Sequence, residues 1–260
     1  MSRFPFIGFE TKFIRDYLKN CLKLANYFVD LRFAILNLIV ERLLMIDTSC
    51  AKETAHGQQA LEQNAAEIFE MDCVDVGMSH ENPLNKLDEC MLWMFDFVHG
   101  QCHNDDGSFC LSSAYPFVKV MTDVFQESVL PIQGCFTVPF LWFYLCSFRE
   151  MISNYFMKWL WRTVRSPSVP PNLRLNASCY LASILARAKY VSIETVLLHV
   201  REWTDWLHQF IDTDDSGSNS SAAYCYTFYA ICQSLLYVIA FRIREIISLP
   251  TGGLIQRKFL

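Results

Sequence analysis

A chain of 260 residues with 52% hydrophobic and 19% charged side chains carries enough apolar surface for a substantial core, which excludes a disordered polymer and leaves one large domain or two small ones. Its net charge of −5 is unevenly spread: residues 47–90 hold ten acidic side chains against two lysines, so the remainder is close to +3. That balance offers no broad basic footprint for phosphates, and no strong direct binding of nucleic acid is expected.

Eleven cysteines, an odd number without a C-x-x-C pair, sit mostly among aromatic and aliphatic residues. This is the setting of reduced, buried thiols rather than of a disulfide framework. The opening MSRFPFIGFETKF has no continuous apolar run followed by a cleavage site, so no signal peptide is read and the cytoplasm or nucleus is the expected address. The N-x-S sequons at Asn176 and Asn219 would then stay unused.

In chain order, Thr11 to Phe28 and Leu31 to Met45 read as an opening pair of amphipathic helices. Phe13, Leu18, Leu22, Leu24 and Tyr27 mark the inner face of the first, and Phe33, Leu36, Ile39, Leu43 and Leu44 that of the second. After Asp47 the apolar period dissolves, and residues 48–84 read as a long acidic insertion, mobile over most of its length, with room for a short helix near 59–70. Lys86 to His99 resumes the helical pattern and pairs with Tyr115 to Val129 across the turn HNDDGSF. Val138 to Arg149 and Glu150 to Val164 are apolar on nearly all sides, as helices buried by their neighbours are.

Pro170 to Ile211 organises the rest. Leu173, Ala177, Tyr180, Leu181, Ile184, Leu185 and Ala188 share one helical face, and Ile193, Val196, Leu197, Val200, Trp203, Leu207 and Phe210 share another, which predicts an antiparallel helical hairpin. Pro170 and Pro171 suit a helix entrance, and Ser192 can cap the second helix. Small residues on the first helix (Ala177, Ser178, Ala182, Ser183, Ala186, Ala188) let a neighbour approach closely. A last helix is expected from Ala222 to about Ile247. One hairpin recurs per roughly 40 to 47 residues, the period of HEAT-type repeats. The predicted fold is therefore all-α: a HEAT-like α-solenoid of stacked antiparallel hairpins, a single domain over residues 1–260, with one acidic insertion and an atypical end over 248–260.

Chemistry is scarce. His99, Cys102, His103 and Cys110 have zinc-binding side chains, but their spacing matches no common site. Asp212, Asp214, Ser216 and Gly217 resemble the start of a calcium loop, whose twelfth position is Ala223 instead of glutamate. Glu202 and Asp205 read as an exposed helix face, and His199 and His208 as hairpin side chains. There is no G-x-S-x-G elbow, phosphate loop or G-x-G-x-x-G. No catalytic residue, metal, cofactor or small-molecule substrate is assigned. Serines 112, 113, 216, 218, 220 and 221 fall in turns, where phosphorylation would add negative charge. Ala222 to Phe241 holds 20 uncharged residues, long enough for a bilayer, yet Thr227, Gln233 and Ser234 favour a buried solenoid helix, and no membrane partner is expected. Arg174, Arg187 and Lys189 are the candidate contacts for an acidic protein partner.

Several stretches carry a resemblance: YFVDLRFAILNLIVERLLMID (Tyr27 to Asp47), FLWFYLCSF (Phe140 to Phe148), SPSVPP, NASCYLASILARAKYV (Asn176 to Val191), WTDWLHQFI (Trp203 to Ile211), the DSG turn (Asp215 to Gly217) and FYAICQSLLYVIAFR (Phe228 to Arg242). Together the chain resembles the RNA polymerase I-specific transcription initiation factors of the TIF-IA type, with the acidic insertion poorly matched. The resemblance implies a HEAT-repeat superhelix and a non-enzymatic role in the nucleus, mainly the nucleolus. It implies binding to RNA polymerase I and bridging to the promoter-bound core factor (selectivity factor) at ribosomal DNA. Family members extend further on both sides, so the resemblance is to a middle portion, and the ending SLPTGGLIQRKFL does not look like the family's continuation. The alternatives are a general HEAT-like nuclear scaffold or a membrane-associated helical protein.

Overall fold

The computed structural model describes residues 10–62, 82–214 and 222–248. Among them nine α-helices are found and no sheet: α1 (Thr11–Tyr27), α2 (Arg32–Glu62), α3 (Pro83–Cys102), α4 (Leu111–Val124), α5 (Phe140–Ser147), α6 (Glu150–Arg165), α7 (Pro171–Arg187), α8 (Ile193–Asp214) and α9 (Ala222–Ser248). The fold is all-α, built of stacked helices as expected of a solenoid. The chain separates into two compact units, Met1–Leu145 and Cys146–Leu260.

In the first unit α2 is the central column, in contact with α1, α3 and α4. Its Ile35, Leu36, Ile39, Val40, Leu43 and Leu44 are wholly buried. On α1 the inner face is Ile14, Leu18, Cys21, Leu22 and Ala25, whereas Phe13, Leu24 and Tyr27 point outward, as does Phe33 on α2. Phe13, Leu24 and Tyr27 lie off the stripe set by 14, 18, 21, 22 and 25, so their hydrophobicity alone misplaces them, whereas Phe33 is in line with Leu36 and Val40 but falls in the first turn of α2. Tyr27, 81% exposed, continues into Phe28, Val29 and Leu31 as an apolar tip.

Where the sequence reads as breaking at Asp47, α2 runs on to Glu62. Thr48 and Ser49 return their hydroxyls to the carbonyls of Leu44 and Ile46, and good helix formers follow. Asp47 is itself buried, because its carboxylate serves the chain entering α5. Oδ2 accepts from the amides of Phe136 (3.0 Å), Thr137 (2.8 Å) and Val138 (2.9 Å). Gly134, at φ +78°, makes the turn that lets these amides converge. The possible short helix near 59–70 lies mostly outside the described residues.

Asn82 caps α3 through its side chain with Pro83 at the first helical position. The turn HNDDGSF joins α3 to α4 as read, with Gly107 at φ +79°. A π-turn over Phe125–Val129 extends α4 and aims the buried Ser128 hydroxyl at Asn37 of α2, 2.7 Å away. Trp142 of α5 is buried against Phe125, and its indole N–H donates to the Met121 carbonyl at 2.9 Å.

In the second unit the link between α7 and α8 is as short as predicted, but the simple α7–α8 hairpin needs correction. α7 packs most closely on α9 and on α6, while α8 lies closer to α9 than to α7. α7 and α9 run parallel: Ser234 reaches the Ser178 carbonyl, Arg187 reaches Tyr237, and Arg242 reaches the Val191 carbonyl. The small residues of α7 permit this approach, so the neighbour they admit is α9. α8 turns its Val196, Val200, Trp203 and Leu207 inward, with Trp203 against Trp161 of α6 at 6.2 Å between ring centroids.

Candidate interaction surface

The three basic residues singled out by sequence part company. Arg174 is 4% exposed, and its Nε donates 2.7 Å to the carbonyl of Val164, tying the start of α7 to the end of α6. It is not on the polar side of the helix. Its position follows from the inward stripe, since 174 lies three before Ala177 and seven before Leu181. Arg187 and Lys189 are exposed.

Arg187 is held in a defined pose. Nε donates to the Tyr237 hydroxyl at 2.7 Å, and the guanidinium lies 5.7 Å from the Tyr237 ring and 5.6 Å from the Phe241 ring, which are 4.5 Å apart. Lying beside both rings and anchored through Nε, it can offer its terminal nitrogens to a planar anion. Among the described residues no carboxylate pairs with Arg187, Lys189 or Arg244.

The helix that supplies Tyr237 and Phe241 is two-faced, against the expectation of burial all round. Ala230, Ile231, Leu235 and Val238 are buried, and Tyr229, Leu236, Ile243 and Ile247 are exposed, Leu236 to 66% and Ile247 to 62%. The signal was present as a recurrence at 229, 236 and 243, every seventh residue, which a purely compositional reading of an apolar segment passes over. No helix among the described residues is long and apolar enough to cross a membrane.

The other constellations do not gather into sites. The His99 and His103 rings are stacked at 3.9 Å, with His99 Nδ1 3.1 Å from the Tyr144 hydroxyl and His103 Nδ1 3.0 Å from the His99 carbonyl. Cys102 is fully buried and its thiol is pushed up to about 12 by desolvation. Cys110, at the mouth of α4, is drawn down to about 7 by hydrogen bonds to Ser112 and Ser113. Among the described residues no three His, Cys, Asp or Glu side chains group to hold a metal ion. The calcium-like run begins on α8 at Asp212, and its continuation from 215 lies outside the described residues. The sequon residue Asn176 is buried on α7.

His199 is buried between α8 and the rest of its unit, with Nδ1 3.3 Å from Glu202 Oε2. Burial pulls its pKa below 6.5, outweighing the opposing pull of Glu202, and Lys158 adds to the lowering. A depressed folded-state value means that the unfolded chain takes up the proton more readily. The resulting stability is complete above about pH 6.5 and is lost as pH falls through the folded value. Thermal melts between about pH 7.5 and 5.5 are expected to show a larger loss for the wild type than for His199→Gln. Equal losses would show that this imidazole does not titrate differently on folding.

With this geometry in view, comparison with known proteins is decisive. The profile described as RNA polymerase I specific transcription initiation factor RRN3 matches residues 1–254. The chain belongs to the RRN3 family. A Mus musculus RNA polymerase I-specific transcription initiation factor RRN3 is 26% identical over 95% of this chain and 41% of its own length. The Caenorhabditis elegans factor tif-1A is 35% identical over 43% of this chain and 18% of its own. The crystal structure of RNA Polymerase I Transcription Initiation Factor Rrn3 superposes with a TM-score of 0.77 at 21% identity, covering 96% of this chain and 48% of that one, and so shares the fold. This RRN3-family chain thus spans less than half the length of each of these relatives. RRN3 membership accords with the all-α fold of stacked helices.

Proposed function

We propose that this chain is a non-enzymatic adaptor in transcription by RNA polymerase I: it binds the polymerase and holds it near the promoter-bound core factor for ribosomal RNA genes. The reading is supported above all by the family match over residues 1–254. A nuclear, chiefly nucleolar location and action as one HEAT-like unit over residues 1–260 belong to the same proposal. Arg187 and Lys189, exposed and without acidic partners among the described residues, are the side chains proposed to meet a partner. Arg174, committed to the Val164 carbonyl, contributes by fixing α7.

The test is capture of purified RNA polymerases I and II by the tagged chain, at low and moderate salt, with the core factor then added to retained polymerase. Salt-resistant retention of polymerase I alone is expected, because a docking surface with an apolar component survives screening that removes loose ionic contacts. Retention of neither polymerase by a chain shown to be helical and monodisperse would overturn polymerase binding by these 260 residues. Retention without recruitment of core factor would overturn the bridging role.

A further inference from the structure

We infer that Cys102 and Cys110 are a redox pair that oxidises to a disulfide across the turn between α3 and α4, clasping the end of one helix to the start of the next. The pair is independent of the polymerase reading and of the basic residues around α7.

The backbone sets the two residues opposite each other. The turn 103–109 folds back as an antiparallel bridge between His103 and Phe109. Inside the bridge the Asn104 amide donates to the Ser108 carbonyl at 2.9 Å, and outside it the Cys110 amide donates to the Cys102 carbonyl at 2.8 Å. Residues that face each other through such a bond have Cα atoms about 5.5 Å apart, inside the roughly 4.4–6.8 Å that a disulfide spans. His103 (φ −127°, ψ 149°) and Cys110 (φ −110°, ψ 105°) are both extended, so side chains alternate along these segments. The His103 and Phe109 rings meet on one side of the bridge, 5.7 Å apart at their centroids. The alternation turns Cys102 and Cys110 together to the other side.

The two thiols differ as a stepwise exchange requires. Cys110 is half-buried at the amino end of α4, with Sγ 3.2 Å from the Ser112 hydroxyl. Its pKa, drawn down to about 7, leaves a large share as thiolate at neutral pH. Cys102 is fully buried and stays a thiol. Burial also pushes up the thiols of Cys21, Cys90, Cys146, Cys179 and Cys232, so none of these competes as the first nucleophile.

The oxidant is a low-molecular-weight disulfide such as glutathione disulfide. The Cys110 thiolate attacks one of its sulfurs, the protein–glutathione S–S bond forms, and one glutathione leaves as thiolate. Cys102 then loses its proton to solvent and attacks Cys110 Sγ, which forms the Cys102–Cys110 bond and expels the second glutathione. Two protein thiols are oxidised, one glutathione disulfide is reduced to two thiols, and the leaving thiolates take up the two protons. The burial of Cys102 makes closure the slow step.

The experiment incubates the full reduced chain with glutathione disulfide near neutral pH, blocks remaining thiols by alkylation, and maps peptides by mass spectrometry without reduction. The wild type is expected to show a Cys102–Cys110 link that dithiothreitol reverses. Cys102→Ser is expected to stop with glutathione on Cys110, and Cys110→Ser to leave Cys102 unmodified. The linked chain is expected to melt about 5 °C higher than the reduced one, because closing the loop restricts the unfolded state. The wild-type map decides the link by itself, so a variant that fails to fold leaves the test intact. Three results would overturn the proposal: no modification of Cys110, a wild type that keeps glutathione on Cys110 or links it to another cysteine, or a linked chain that melts no higher than the reduced one.

Discussion

Asp47→Ala is expected to destabilise the N-terminal unit by about 3 kcal/mol, more than any other single polar substitution in it. One buried carboxylate oxygen takes hydrogen bonds from three successive backbone amides, at 2.8 to 3.0 Å, where the chain turns into α5. Alanine would leave those donors facing a vacated space. Bonds to a charged acceptor contribute about 1.5–3 kcal/mol each, but they share one oxygen here, and the amides of Phe136 and Thr137 can recruit water because their residues are not fully buried. The sum is therefore well below three independent bonds. The carboxylate also sits near the amino end of α5, where negative charge is favoured. Asp47→Asn keeps an acceptor oxygen without the charge, so about half the loss is expected. Urea unfolding followed by circular dichroism measures both; a change under about 1 kcal/mol for alanine would mean that the 134–138 turn holds its shape without α2.

Much of the fold was legible because helical period is a local property. The helices beginning near Thr11, Pro83, Leu111, Glu150, Pro171, Ile193 and Ala222 all stand close to where apolar spacing and capping residues place them. Three things were not local. The burial of Asp47 depends on amides some 90 residues away, and in sequence the residue looks like the start of a solvated stretch. The parallel pairing of α7 with α9 depends on the intervening α8, and small residues on α7 announce a close neighbour without saying which. The exposure of half of α9 could not be told from composition, because an apolar helix reads the same whether a second neighbour covers it or none does.

The candidate site shows the same division. Arg187 was visible as a cation near the end of a helix, but its anchoring by Tyr237 and Phe241, 50 and 54 positions further on, was not. Arg174 was misread because a long side chain on a mostly apolar face can turn its head to a carbonyl, here that of Val164. Arg244 was overlooked: its position gains meaning only beside Phe241 and Arg187.

The second large effect is expected at Trp203. Its side chain is 1% exposed and packs against Trp161, within the same inward stripe as Val196, Val200 and Leu207. Trp203→Ala removes the largest side chain of that stripe and opens a cavity between α6 and α8, at a cost of about 3–5 kcal/mol. Trp203→Phe discriminates between packing and hydrogen bonding. The indole Nε1 is buried and makes no hydrogen bond, so phenylalanine forfeits only volume and is expected to cost about 1–2 kcal/mol. Urea melts of the two variants give the comparison directly. A loss below about 1 kcal/mol for alanine would place Trp203 outside the core, and a phenylalanine variant as damaged as alanine would show that the indole N–H has a partner after all.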